Sequence, residues 1–84
     1  MTLSPNHKKL LYVSSHRGTK EADILIGHFA EQIIPQLKEE ELEDFKDFLD
    51  LPDMVLIDWY FKRKRPEPQE LTPFVKLFLE FKYV

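Results

Sequence analysis

Hydrophobic residues recur at helical spacing along most of the chain. The clearest pattern is a stripe of apolar residues at i, i+3, i+4, i+7, i+8 and i+11, formed by Ala22, Leu25, Ile26, Phe29, Ala30 and Ile33. A period of about 3.6 residues predicts an amphipathic helix. Pro35 limits its length, because proline lacks an N–H and disfavours helical geometry in the residue before it. We therefore expect this helix to end near Ile33 or Ile34.

Four other segments have the same kind of pattern over shorter lengths, at about residues 5–15, 38–50, 54–61 and from residue 72 onward. The segment at 54–61 is apolar on nearly all sides except at Asp58, which predicts a buried helix with Trp59 in the core or at its edge. The expected apolar surfaces of the other three are Leu10, Leu11 and Val13; Leu42, Phe45, Phe48 and Leu49; and Phe74, Leu77, Phe78 and Phe81.

Residues that favour helix starts precede three of these segments. Ser4, Asp53 and Thr72 can each cap a helix by accepting a backbone N–H. Pro5 and Pro73 suit a first helical turn, where the missing N–H has no intrahelical partner. No second alternating segment is present for a strand to pair with. The pattern predicts an all-α protein in which residues 1–84 form one small five-helix bundle.

Composition narrows the class of protein. An 84-residue chain is sufficient for one domain with a modest core. It contains no cysteine, which excludes disulfides and thiolate metal sites. We find no signal or transit peptide in its first residues and no apolar run of the ~20 residues that cross a bilayer. We expect a cytoplasmic bacterial protein without membrane insertion.

The charge pattern leaves one alternative function. Fifteen acidic and twelve basic residues give a net charge of −3, which disfavours nucleic-acid binding. A basic cluster of four consecutive residues could nevertheless contact phosphates, so a nucleic-acid-binding or regulatory module remains the alternative. Closing the fourth helix at the negative end of its dipole is the favoured role for this cluster. It consists of Lys62, Arg63, Lys64 and Arg65.

The densest polar stretch is residues 16–23, between the first two predicted helices; we call it the junction. Glu21 and Asp23 point roughly 160° apart around a helix and cannot act as a catalytic carboxylate pair. Glu21 instead shares one side with Ile24 and His28. A carboxylate, an aliphatic group and an imidazole on one face suit contact with a protein. The alternative, which these residues alone favour, is that the two carboxylates offset the positive helix N-terminus.

The remaining polar residues do not predict catalysis. His7, His16 and His28 lack the i, i+4 spacing of two metal ligands on a helix, and we expect all three on the surface. No nucleophile motif or phosphate-binding loop is present. Gly27 could mark a close approach to its helix, although a neutral, solvent-facing position is the favoured interpretation. The sequence thus gives no support to an enzyme.

The junction also carries a recognisable motif. Arg17-Gly18-x-x-Glu21, between a short helix and an apolar one, resembles the RGxxE signature of the succinate dehydrogenase assembly factor 2 family, the flavinylation factors. The resemblance extends from about Tyr12 to Phe61. Its further matches are Asp23 in the junction; Leu42, Phe45 and Leu49; Pro52-Asp53; and Leu56-x-x-Trp59.

This resemblance implies a five-helix bundle that is not an oxidoreductase. It implies binding to the flavoprotein subunit of succinate dehydrogenase, or of bacterial fumarate reductase, and promotion of covalent FAD attachment to a histidine of that subunit. The factor would orient the client, supply no reacting atom and hold no FAD stably itself. We also expect a monomer. The expected partner-binding residues, from the motif and the adjoining helix face, are His16, Arg17, Gly18, Glu21, Asp23, Ile24 and His28.

Three residues depart from the family pattern. His16 stands where the family often has a second arginine, and Thr19 stands where methionine is common. Val55 replaces the second aspartate of the turn pattern, which leaves Asp53 as the only acidic residue there.

Overall fold

Five helices form the regular structure of residues 3–82, the part of the chain that the computed structural model describes. No strand occurs within these residues, and the predicted all-α, five-helix fold is confirmed. Short 3-10 turns at Ile34–Gln36 and Pro68–Glu70 precede α3 and α5. The helices are α1 (Pro5–Ser14), α2 (Lys20–Ile33), α3 (Glu39–Leu49), α4 (Asp53–Tyr60) and α5 (Pro73–Glu80).

Two of the three predicted helix caps are confirmed. The Ser4 hydroxyl accepts the His7 N–H at 3.2 Å, and the Thr72 hydroxyl accepts the Val75 N–H at 3.3 Å. The prediction for Asp53 is wrong: Pro52 occupies the N-cap position of α4 and Asp53 is the first helical residue. Its carboxylate is engaged by an arginine of the junction instead, as described below.

A cluster of four phenylalanines joins α2, α3 and α5. The Phe29 ring lies at the centre, with its centroid 5.2 Å from that of Phe78 in an edge-to-face arrangement. Phe48 is 5.6 Å from Phe29 and 5.4 Å from Phe78, and Phe45 is 6.1 Å from Phe29. Edge-to-face and tilted pairs are favourable because the positive ring edge meets the negative ring face. The predicted stripes of α2 and α3 therefore meet in the core.

The buried faces of α4 and α5 differ from the prediction. In α5, Leu77 is 46% exposed while Val75 is buried with Phe78, so the helix is rotated from its expected orientation. In α4, Trp59 is buried as predicted, but Met54 is 63% exposed and Phe61, just after the helix, is 57% exposed. These two helices pack through one face only, so an apolar pattern on several sides leaves apolar residues in solvent. The same reason applies at the end of α1, where the predicted core residue Val13 is exposed.

Gly27 is buried where α1 meets α2, and its interpretation as a solvent-facing position is wrong. A Cβ atom at residue 27 would lie 3.1 Å from the Ser15 Cβ and 3.3 Å from the Ser15 Cα. The end of α1 therefore approaches α2 closely at a point where any side chain would be crowded. Beside this contact, the buried Ser14 hydroxyl donates to the Leu10 carbonyl at 2.7 Å.

His7 is also buried, contrary to the expectation of a surface histidine. Its Nε2 donates to the Leu37 carbonyl oxygen at 2.7 Å, and its Nδ1 lies 2.5 Å from the Ser4 hydroxyl. The imidazole therefore joins the start of α1 to the segment before α3, and both nitrogens are satisfied where water is largely excluded. The spacing pattern could not reveal this, because Leu37 is 30 residues away in sequence.

Candidate protein-binding site at the α1–α2 junction

The junction is fastened to the α3–α4 loop by one side chain, that of Arg17. Its Nε donates to the Asp53 carboxylate in an ion pair, and the Arg17 side chain is only 9% exposed. Its Nη1 donates to the Leu49 carbonyl at 2.6 Å and its Nη2 to the Leu51 carbonyl at 2.7 Å. The planar guanidinium presents its donors in a fixed fork, so these acceptors define one position for it.

Arg17 therefore points into the protein and away from solvent. Its expected membership of a partner-binding set remains a prediction, but direct contact through the guanidinium would require leaving the acceptors just described. The sequence analysis missed those acceptors. The one available signal was an opposite charge, Asp53, in the Pro52-Asp53 match of the resemblance. The two carbonyl groups carry no sequence signal.

Asp23 stabilises the junction from the α2 side. Its carboxylate accepts the backbone N–H of Arg17 at 2.5 Å and that of Gly18 at 3.2 Å. Asp23 lies in the first turn of α2, where a negative charge is favoured. Thr19, one of the departures from the family pattern, is the N-cap of this helix and accepts the Ala22 N–H at 3.3 Å. The side chains of Asp23 and Thr19 thus stabilise the conformation of the junction.

Gly18 occupies backbone geometry that side chains rarely adopt. Its φ is +116°, which glycine reaches without steric cost and other residues do not. A Cβ added at this position would meet nothing within 4 Å. Glycine is required here by the path of the chain and not by crowding within the protein. The exposed backbone at Gly18 is therefore open to close approach from outside.

The face of α2 predicted from helical geometry is exposed. Glu21, Ile24 and His28 all lie on the surface, and Ile24 is 38% exposed. Glu21 and Asp23 have different environments, since Asp23 is half-buried against the loop. The structure thus separates the two carboxylates: one fixes the junction and the other faces solvent beside an exposed aliphatic group.

His16 adds an aromatic pair at the edge of the junction. Its ring stacks on that of Tyr12, with centroids 3.9 Å apart and planes 13° apart. The His16 Nδ1 donates to the Tyr12 carbonyl at 2.8 Å. Tyr12 is 64% exposed and was not among the predicted site residues. Its i, i+4 spacing from His16 was the signal that could have identified it.

The basic cluster lies away from these contacts, just after α4. The backbone N–H groups of Arg63 and Lys64 both donate to the Asp58 carbonyl, at 2.8 and 3.3 Å, so this segment continues directly from the end of α4. The expected interaction of its cations with the negative end of the helix dipole stays a prediction. The Arg63 Nε lies 3.7 Å from the Asp58 carboxylate, and its guanidinium carbon is 5.6 Å from the centre of the Phe61 ring. Within residues 3–82, Arg63 is thus the cation of the cluster whose side chain has an ion-pair partner.

Neither a metal site nor a membrane-spanning helix is found in the described part of the chain. No group of three or more histidine, aspartate or glutamate side chains in residues 3–82 is arranged to hold a metal ion. Within the same residues, every helix is too short or too polar to cross a bilayer. The junction is consequently the best-defined candidate site, and its groups are suited to binding.

The fold and the junction together define a small helical module that presents a rigid, exposed loop and helix face. Comparison with known proteins assigns this module to a family. Residues 8–82 match the family model described as "Flavinator of succinate dehydrogenase". Because the match covers most of the chain, the protein belongs to the family of succinate dehydrogenase flavinators, and the resemblance found in the sequence is confirmed.

Similar proteins come from bacteria and eukaryotes. The chain is 37% identical over 78 residues to the FAD assembly factor SdhE of Acetobacter pasteurianus, covering 93% of this chain and 72% of that protein. It is 32% identical to the FAD assembly factor SdhE of Pseudomonas aeruginosa, over 86% of each chain. It is 39% identical to the mitochondrial succinate dehydrogenase assembly factor 2 of Dictyostelium discoideum, over 83% of this chain and 50% of that protein. No solved structure matches the chain.

Proposed function

We propose that this protein binds the flavoprotein subunit of succinate dehydrogenase through the junction and promotes covalent attachment of FAD to that subunit. The observation that carries the proposal is the open backbone of Gly18 beside the exposed Glu21, on a loop that Arg17 fixes from within. Membership of the flavinator family and the names of its relatives support the client and the chemistry.

Rigidity is the first property that suits the junction to this function. Arg17 and Asp23 satisfy backbone groups on both sides of the loop and hold it in one conformation before any partner arrives. A preordered loop loses little conformational entropy on binding, so more of the contact energy appears as affinity. Arg17 then acts as a positioning residue, and the contacts themselves come from its neighbours.

The exposed groups define the kind of surface that the partner presents. Glu21 supplies a carboxylate for a cationic or N–H donor group of the client, and Ile24 supplies a small apolar contact next to it. The stacked Tyr12–His16 pair adds a flat aromatic edge. An aromatic and apolar contact surrounded by polar groups is the usual composition of a protein interface.

The role proposed for the protein is orientation without chemistry. It holds the flavin domain of the client so that the client's histidine and the flavin stay in reacting geometry, which raises the rate by proximity. FAD itself stays with the client. Its pyrophosphate is anionic, and carboxylates line two grooves within residues 3–82: Glu41, Asp44, Asp47 and Glu70 in one, and Glu39, Glu43 and Asp50, beside two lysines, in the other.

Three finer points belong to the same proposal. The related flavoprotein of fumarate reductase is a second client, because the family resemblance implies the same covalent attachment of FAD to that subunit. The protein acts as a monomer in the cytoplasm of a bacterium. The second client follows from the family resemblance, and the cytoplasmic location is the expectation from composition given above. The experiment below tests the second client, and sedimentation tests the monomer.

Co-expression tests the function directly. The succinate dehydrogenase flavoprotein of the same organism is produced with and without this protein, and covalent flavin is read as in-gel fluorescence of the denatured subunit. We expect the two chains to co-purify and the fluorescence to rise when the protein is present. Absence of a complex, together with equal covalent flavin in a strain that lacks the gene, would contradict the proposal. Repeating the assay with the fumarate reductase flavoprotein tests the second client.

A further inference from the structure

A second surface, distinct from the junction, has the features of a docking groove. It lies between α3, α5 and the α3–α4 loop and encloses about 530 Å³. Its floor is apolar and includes Phe48, Trp59, Phe74 and Val75, with Leu51 at one side. This volume falls in the range of about 300–1,000 Å³ found for pockets that hold small ligands. None of the seven expected partner-binding residues lines this groove.

Carboxylates surround this floor. Three of them lie on α3, at Glu41, Asp44 and Asp47, and the fourth is Glu70 in the 3-10 turn before α5. Within residues 3–82, no lysine, arginine or histidine lies within ion-pair distance of any of the four. The rim therefore combines like charges around an apolar surface, and the negative potential there is not neutralised by the described residues.

Helix stability does not account for this placement. Glu41 and Glu70 each accept one backbone N–H at a helix or turn start, at 2.8 and 2.7 Å, which gives them a local role. Asp44 and Asp47 have no such role. They are neighbours at i, i+3 on the surface of α3, and Asp47 lies in the last turn, near the negative end of the helix dipole. Both carboxylates are placed where an isolated helix would not favour them.

We propose that this acidic-rimmed groove binds a basic segment of a partner protein, with an apolar side chain of that segment seated on the groove floor. Charge complementarity identifies the occupant: cations flanking one apolar anchor would pair with the rim while the anchor covers Trp59 and Phe74. An anionic ligand such as a phosphate or a nucleic acid would be repelled by the same rim. This site goes beyond client binding at the junction and uses a different face of the bundle.

The chain provides its own reporter for this proposal, because Trp59 is its single tryptophan and lines the groove. The probe is a synthetic capped nonapeptide with a central phenylalanine between two lysines and two arginines, free of tryptophan and tyrosine. We expect a saturable change in Trp59 emission on titration, and weaker binding when salt is raised, since screening reduces exposed charge interactions. The same peptide with glutamates in place of its lysines and arginines should not bind. A peptide with alanine in place of phenylalanine should bind more weakly.

Matched variants separate groove binding from general charge attraction. Asp44→Asn with Asp47→Asn keeps the shape of both exposed side chains, and we expect about tenfold weaker peptide binding from the loss of two ion pairs. Glu40→Gln with Glu43→Gln removes the same charge from α3 outside this groove and should bind as the unmodified protein does. Circular dichroism of both variants checks that the fold is retained.

Three outcomes would overturn the proposal. The first is no saturable change in Trp59 emission. The second is equal weakening by both pairs of substitutions, which would mean that the peptide senses only net charge. The third is self-association in sedimentation that Phe61→Ser abolishes and the peptide displaces, since the exposed Phe61 and the basic cluster of a second copy would then be the occupant.

Discussion

Arg17 holds the junction in place while its side chain points into the protein. Its guanidinium joins the junction to the α3–α4 loop through one carboxylate and two carbonyls. Each of these acceptors is partly removed from water, so losing the donor leaves them unsatisfied. The arginine of the motif is thus needed to build the surface on which Gly18 and Glu21 are presented.

Replacement of Arg17 by alanine should destabilise the protein by about 2–4 kcal/mol, because it leaves Asp53 and two carbonyls without their donor. The measurement is urea unfolding followed by circular dichroism. Arg17→Lys should recover only a small part of the loss, since an ammonium cannot reach the acceptors with a planar fork. Arg65→Ala, an exposed arginine, is the control and should change the stability by no more than about 0.5 kcal/mol. A similar small effect for Arg17→Ala would contradict this role.

Gly18 carries a prediction of a different kind, because its constraint is conformational. Gly18→Ala should destabilise the fold by about 1–3 kcal/mol through the cost of holding a Cβ at φ of +116°. No steric clash contributes, since nothing lies within 4 Å of that Cβ. Gly18→Asn should be destabilised as well in the same urea experiment, because the tolerance of asparagine for positive φ is centred at about +57°, far from the +116° of this residue. Equal stability of all three proteins would show that the loop relaxes to ordinary geometry.

At the scale of helices, the crossing of α1 and α2 positions the junction. Buried Gly27 lets the end of α1 lie against α2, so the loop between them leaves one helix and enters the other at a fixed place. A glycine inside a helix costs about 1 kcal/mol relative to alanine, and the close approach accounts for its presence.

The crossing can be tested by adding volume at residue 27. Gly27→Leu should destabilise the protein by about 1–3 kcal/mol through overpacking against Ser15. Gly27→Ala should lie within about 1 kcal/mol of the unmodified protein, because its gain in helix propensity opposes the 3.1 Å contact. Thermal unfolding measures both. A leucine variant as stable as the alanine variant would mean that the two helices separate without cost.

A polar contact between the starts of α1 and α3 predicts a pH dependence. Hydrogen bonds from Ser4 and from Asn6, the latter at 3.3 Å, hold the pKa of the Glu39 carboxyl below its usual value of 4.5. A lowered folded-state pKa means that the carboxylate stabilises the fold above the unfolded-state value and that this contribution is lost as pH falls through the folded-state value. Glu39→Gln should therefore show a smaller loss of stability on acidification, measured as the urea midpoint against pH. Glu40→Gln, with a side chain for which no hydrogen bond is found in residues 3–82, should follow the unmodified protein.

Sequence patterns predicted the helices better than their contacts, for a physical reason. Period and capping are local, so the α2 stripe, the end near Pro35 and the caps at Ser4 and Thr72 could be predicted and are confirmed. Burial of His7 and the inward direction of Arg17 depend on carbonyl groups about 30 residues away, which leave no mark in the sequence. The exposed side of α2 at Glu21 and Ile24 could be predicted because it follows from helical geometry alone.

At the scale of the whole molecule, the bundle separates two surfaces. The junction combines an open glycine backbone with a mixed polar and apolar helix face. The acidic-rimmed groove lies on other elements, and its negative charge favours a cationic partner. The α3–α4 loop connects them, since Leu51 accepts a hydrogen bond from Arg17 and also lines the groove.

Substitution of Glu21 tests the proposed binding of the flavoprotein client by the exposed face of the junction. Glu21 is exposed in the first turn of α2, so Glu21→Ala should lower the stability by no more than about 1 kcal/mol while reducing covalent flavin on the co-expressed subunit at least about tenfold, as expected for loss of an interface hot spot. The control is Glu40→Ala, an exposed glutamate in the first turn of α3, which should support flavinylation as the unmodified protein does. Full in-gel flavin fluorescence with Glu21→Ala, in a stably folded protein, would contradict the account.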